Sequence, residues 1–288
     1  MSSEQYHVYF GGKVFYFIEP TPRNLKIYSD WATNKGVGGG ARRNRKATNR
    51  KYIFLPDLIV SSGGTVHKVP LRAGQTLFIP SGWIHAVHTP DDDSLVFGGN
   101  FVHRHSLEMQ LRINRLEVTM RVGPDFRFPN FQKLMWFVAR DFVGECAELL
   151  ARHEKRWDEE EEEKAAYPKK DNHESTDEKA TTEEDDDGGR RRGGRQRARI
   201  LCAAYPPRIL KGYAALAREL ALWSSTSAAK SAIGQRPASM DVAVVANELG
   251  SMMKACAALL GEMKKRGRGG VDEKTGNHHP CGAIRRRR

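Results

Sequence analysis

The sequence predicts a mainly β domain of sandwich, jelly-roll or barrel type, followed by α-helices. Short runs rich in β-branched and aromatic residues recur over the first hundred positions. Turn residues separate them at regular spacing: Ser61-Ser62-Gly63-Gly64, Ala73-Gly74-Gln75, Pro80-Ser81-Gly82 and Pro90-Asp91-Asp92-Asp93. From about residue 105 the apolar period lengthens from two to that of a helix, which ends the β part.

Taken in order, QYHVYF, Gly11-Gly12 and KVFYFI predict a hairpin over residues 5 to 18, because Gly-Gly accepts positive φ without penalty. That turn would set Phe10 opposite Lys13 and Tyr6 opposite Phe17. Period two then gathers Tyr6, Val8, Phe10, Lys13, Phe15 and Phe17 on one face. A lysine on such an aromatic face needs a reason, and the plain one is an edge lysine that blunts aggregation or a side chain that snorkels past its apolar neighbours. Further strands are expected at KYIFLPDLIV (51 to 60), TVHKVPL (65 to 71), TLFI (76 to 79), IHAVHT (84 to 89) and SLVFGGNFVH (94 to 103). His85 and His88 are three apart, so a strand sends them to opposite faces and at most one looks into a pocket.

Helices are expected over 105 to 121 and from residue 131, with Asn130 as candidate N-cap, and again after Pro206-Pro207 and from about Met240 to Lys265. The charged stretch from Trp157 to about Arg199 has too few apolar groups to offset its ordering entropy and reads as a disordered linker. The expected organisation is a barrel portion over 1–128, a helix packing on it over 129–155, a linker over 156–199, a helical region over 200–266 and a basic tail over 267–288.

The 288 residues carry a formal charge of +12, and the basic tracts GGGARRNRKATNRK, RRRGGRQRAR, KKRGRG and RRRR favour DNA, chromatin or another polyanion. Solubility and nuclear import are the plainer uses of such tracts. Cys146, Cys202, Cys256 and Cys281 form no CxxC pair, which argues against a disulfide framework or zinc finger and for a reducing compartment. NHHPCG brings His278, His279 and Cys281 together without a fourth ligand. No run reads as a membrane span or a signal peptide.

GQTLFIPSGWIHAV, FGGNFVH, EMQ and FRFPNF together resemble the JmjC-domain histone lysine demethylases, in the branch with the F-box- and PHD-finger-associated enzymes. The resemblance implies a double-stranded β-helix of jelly-roll, cupin-like form that holds Fe(II) and uses 2-oxoglutarate as cosubstrate. It implies hydroxylation of lysine N-methyl groups on a methylated histone tail, with release of formaldehyde, in the nucleus. By the same resemblance His85 is the distant histidine of the metal triad. Lys13 grips the remote carboxylate of 2-oxoglutarate, and Tyr6 and Asn100 line the cosubstrate pocket. The family's His-x-Asp pair sits about ten residues before the position of Tyr6, and no His-x-Asp or His-x-Glu occurs in this sequence. The expectation is therefore a JmjC domain incomplete at its N-terminus. The alternatives are a catalytically inactive chromatin- or DNA-binding module and a small-molecule-binding cupin.

Overall fold

The computed structural model describes residues 3–33, 53–90, 93–166, 186–224, 237 and 239–268. Among the described residues, six strands form two three-stranded antiparallel sheets. Strands β1 (Ser3–Phe10), β4 (Thr76–Ile79) and β6 (Leu95–Phe101) make one sheet, in the order β4-β1-β6. Strands β2 (Gly12–Ile18), β3 (His67–Arg72) and β5 (Ile84–His88) make the other, in the order β3-β2-β5. The predicted jelly-roll architecture is thus present as two packed sheets with helices added.

The expected hairpin over 5 to 18 does not form. β1 pairs with β4 and β6, and β2 pairs with β3 and β5, so the chain crosses from one sheet to the other between them. Gly11 makes the crossing with φ 72°, and a Cβ there would come within 2.3 Å of the Asp93 carbonyl oxygen. Glycine is needed for that close approach, not for a two-residue turn. Tyr6, Val8, Phe15 and Phe17 still share one apolar space, but from facing walls, with the Tyr6 and Phe15 rings 5.4 Å apart. Phe10 leaves that set and is exposed.

The strand expected over 51 to 60 is instead helix α2 (Leu55–Ser61). Pro56 pre-sets the first turn, Asp57 lies in it, and Leu55 and Ile59 bury one face of the turn against β2 and helix α1 (Pro22–Ala32). Residues 51 and 52, and the basic tract over 38 to 51, lie outside the described residues.

Helix α3 (Leu107–Thr119) joins the two halves of the fold. Its Ile113 packs with Ile18 and Ile84 behind the β3-β2-β5 sheet, while Leu107 and Leu111 enter the helical core. That core is built with α4 (Phe131–Ala166), α5 (Asp186–Ala204), α6 (Pro207–Ser224) and α7 (Val242–Arg268). Phe142 of α4 stacks on Tyr213 of α6 at 3.5 Å and meets Tyr205 edge-on. Asn130 precedes α4 with φ 52°, and its backbone oxygen accepts from Leu134 N–H.

Two predicted boundaries move. α4 continues to Ala166, and α5 is helical from Asp186, so much of the expected linker is a helix pair; residues 167–185 lie outside the description. α5 is ordered by its apolar side: Ala198 and Leu201 are buried in the bundle core. Arg197 pairs with Glu154 of α4 at 2.9 Å, and Arg195 pairs with Glu262 of α7 at 2.7 Å. Low complexity in sequence hid this amphipathic half. The expected basic tail begins later than 267, since α7 runs to Arg268; NHHPCG and RRRR are outside the described residues.

The helix expected from about Met240 to Lys265 forms as α7. Val242–Lys265 is long and apolar enough to cross a membrane by length and composition. Here Leu249, Met253, Cys256 and Leu259 are buried in the bundle core.

Candidate functional site in the barrel interior

The turn Pro80-Ser81-Gly82 delivers the chain into β5. Gly82 has φ 87°, and Trp83 N–H donates to the Pro80 oxygen at 3.3 Å. Opposite Phe17 in the β2–β5 ladder, His85 points between the sheets, where its ring meets those of Tyr6, Phe15 and Phe17 at 6.1–6.3 Å. His88 lies on the other face of β5 and is exposed. One histidine of the two therefore enters the interior.

His85 Nδ1 lies 3.2 Å from the Trp83 carbonyl oxygen, and its Nε2 lies 3.5 Å from Glu4 Oε2. Glu4 is buried on the inward face of β1, two residues before Tyr6 on the same face. The Tyr6 hydroxyl donates to Glu4 Oε2 at 2.9 Å. Burial, reinforced by the Glu4 carboxylate, pushes the Tyr6 phenol up to about 12, so it stays a neutral donor at neutral pH.

Lys13 lies on the same face of β2 as Phe15 and Phe17, and its Nζ donates to Thr89 Oγ1 at 2.6 Å, just past the end of β5. Asn100 sits opposite Glu4 in the β1–β6 ladder, which places it on the inward face of β6. Asn100 and Val87 are exposed, so the space between the sheets is open along the β5 and β6 side. Tyr6, Lys13, His85 and Asn100 thus all lie on the inward faces of two facing sheets.

Glu4 was the residue that sequence reasoning missed. Its signal was the two-residue offset from Tyr6, which puts a carboxylate on an otherwise aromatic face.

Among the described residues, no three His, Cys, Asp or Glu side chains converge as a metal-holding group. A facial triad uses three protein ligands. The described barrel interior offers one imidazole and one carboxylate, so these residues do not by themselves fit that triad. The helical bundle does not supply a substitute. Burial pushes the Cys146 and Cys256 thiols up, to about 11 and about 12, and leaves them neutral there.

Residues 1–96 match the model of the JmjC domain, hydroxylase, and residues 105–167 match that of the Jumonji helical domain. The second match groups α3 with α4. The chain is 42% identical over 157 residues to JmjC domain-containing histone demethylation protein 1 of Yarrowia lipolytica, covering 54% of this chain and 28% of the relative. It is 40% identical over 150 residues to the protein of the same name from Cryptococcus neoformans, covering 52% and 16%. With lysine-specific demethylase 2B of Mus musculus it shares 41% over 142 residues, covering 49% and 10%. The chain therefore spans between a tenth and little more than a quarter of these relatives' lengths.

Proposed function

From a JmjC domain joined to a Jumonji helical domain, related over about half of the chain to histone demethylases, we propose that this chain is the core of an Fe(II)- and 2-oxoglutarate-dependent histone lysine demethylase. Its substrate is a methylated histone tail on chromatin in the nucleus, and the overall reaction removes an N-methyl group as formaldehyde. The observation that carries this reading is the convergence of Tyr6, Lys13, His85 and Asn100 on one interior.

In this reading Lys13 holds the remote carboxylate of 2-oxoglutarate, because a charge-assisted bond in a sheltered site is strong and directional. The Thr89 hydroxyl orients the ammonium. Tyr6 donates a hydrogen bond from a phenol that stays protonated. Aromatic rings around His85 keep bulk water off the pocket floor. No step is derived through iron, since the described residues fall short of its ligand set.

The test is isothermal titration of the purified chain with 2-oxoglutarate, alongside formaldehyde release from a methylated histone peptide in the presence of Fe(II). The expected result is saturable binding that Lys13→Met weakens by roughly tenfold or more, with formaldehyde release. Absence of 2-oxoglutarate binding in the folded chain refutes the reading.

A second reading is a non-catalytic chromatin module. Two observations favour it: the two-ligand interior, and the exposed Arg195, Arg197 and Arg199 on α5 in a chain of net charge +12. It predicts duplex DNA binding that weakens steeply with salt, at about 0.9 in log–log slope per phosphate contacted, and no 2-oxoglutarate binding.

A further inference from the structure

We infer that the outer face of the β4-β1-β6 sheet is a binding surface for single-stranded RNA. This face is turned away from the interior that holds His85, so the inference stands apart from the cosubstrate reading.

The first ground is what the face displays. The ladders send Glu4, Tyr6 and Asn100 inward and therefore turn Phe78, Phe97 and Phe101 outward, with Tyr9 against Phe97. Tyr9, Phe78 and Phe97 are 66%, 63% and 60% exposed, so these rings do not serve the core. They form two edge-on pairs, Tyr9 with Phe97 at 6.1 Å and Phe78 with Phe101 at 6.4 Å. An edge-on pair leaves ring faces uncovered, and any base can stack there, because every base has a π-face. Phe97 and Phe101 are four residues apart on β6, about 13 Å along the strand. Gly99 lies between them, exposed, and a Cβ there would meet nothing within 4 Å, so the floor between the two pairs is open.

The second ground is charge. Phe101 meets His103 at 5.8 Å and His103 meets His105 at 6.3 Å, which carries the row of rings to the foot of the helical bundle. Burial, with the nearby charges of His105 and Arg208, holds the His103 imidazole below its usual range, so a cation stands beside a neutral ring. Arg208 and Lys211 are exposed, three residues apart at the start of α6. No acidic residue occupies an outward position of the three strands. Phosphates that follow this rim release counterions while their bases lie on the rings.

The third ground selects the occupant. A second copy of the chain would bring another +12 against this one, and a sheet-on-sheet contact interdigitates apolar side chains. Here the central strand instead presents Gln5 and His7 between the ring pairs, with His7 Nδ1 held at 2.8 Å by Thr76 Oγ1. The Gln5 amide is both donor and acceptor, the two roles that a ribose 2′-hydroxyl answers.

Fluorescence anisotropy of the full chain with a labelled oligouridylate of about twelve nucleotides, within the usual site size, tests the inference. Saturable binding is expected, with weaker binding of oligothymidylate of the same length and of duplex DNA. Phe78→Ala and Phe97→Ala should each weaken it about fivefold or more without changing its salt dependence, and Phe97→Tyr should bind like the parent. Arg208→Gln should lower the log–log salt slope by about 0.7, the share of one phosphate on a single strand. Thermal melting checks each variant's fold; should one alanine variant melt early, the other and Arg208→Gln carry the test. Four results overturn the inference. The parent chain binds no oligouridylate; or both ring variants bind as the parent does, which places binding on the basic tracts; or oligothymidylate or duplex DNA binds as tightly as RNA. The fourth is a dimer in sedimentation equilibrium that Phe97→Ala dissolves, which gives the face to a second copy.

Discussion

Gly82→Ala is expected to destabilise the chain by about 2–4 kcal/mol, and the structure divides that cost into two parts. Gly82 and Gly74 have nearly the same backbone, φ 87° and φ 83°. An L-residue in that left-handed region costs about 1–2 kcal/mol, offset by about 0.4–1 kcal/mol from the stiffer unfolded chain. A Cβ at Gly74 meets nothing within 4 Å, so Gly74→Ala should cost only that net backbone term, about 1 kcal/mol. At Gly82 a Cβ falls 2.9 Å from Met109 Cγ and Sδ and 3.2 Å from Pro20 Cβ. Overpacking of that kind adds about 1–3 kcal/mol, softened because Met109 is flexible. Urea unfolding of both variants, followed by tryptophan fluorescence, measures the difference directly. Gly82→Ala should also disturb His85, three residues along the strand that this turn launches. Equal midpoints for the two variants would refute the packing argument, and wild-type midpoints for both would refute the backbone one.

Phe142→Ala, which empties a fully buried ring site stacked on Tyr213, should cost about 3–5 kcal/mol by calorimetry. A double-mutant cycle with Tyr213→Leu should return a coupling of about 0.5–1.5 kcal/mol. Arg104, through a two-pronged hydrogen bond, holds the Glu145 carboxyl below the usual carboxylate range, and the Tyr205 hydroxyl adds to it. The stability from Glu145 is therefore present above the unfolded carboxyl's titration and is lost as pH falls through the depressed folded value. Because Glu145 and Arg104 are both well exposed, Glu145→Gln should cost no more than about 1 kcal/mol at pH 7, and the difference from the parent should vanish in acid unfolding curves near pH 2. Lys13→Met removes one charge-assisted bond to a dicarboxylate, about 1.5–3 kcal/mol, and should weaken 2-oxoglutarate binding by roughly 10- to 150-fold in titration calorimetry. Thr89→Val, which leaves the ammonium in place, should weaken it far less.

Much of this protein is written locally. Strands β3 to β6 follow their sequence runs to within two residues at each end, because the turns that bound them need a positive φ that Gly63, Gly74 and Gly82 can adopt. Period two alone put Tyr6 with Val8, and Lys13 with Phe15 and Phe17, and sent His85 and His88 apart. The family resemblance carried by IPSGWIHAV and GGNF is likewise legible in the chain itself, and it holds over about half of it.

Tertiary structure decided the partners. Gly11-Gly12 satisfies the local rules for a hairpin, yet β1 gains two ladders by pairing with β4 and β6, about seventy to a hundred residues away, and β2 gains two with β3 and β5. No window on the sequence contains those choices, because strand pairing is a contest among distant segments. LPDLIVS has strand-forming residues, but the cleft it fills beside α1 and β2 accepts Leu55 and Ile59 one helical turn apart. The half-apolar α5 is likewise helical because Ala198 and Leu201 find a bundle to enter, although the run before them has no apolar side chain. The contact of Glu4 with His85 spans eighty-one positions. Each residue was readable as a type in the sequence, but only the closing of two sheets on each other made them neighbours.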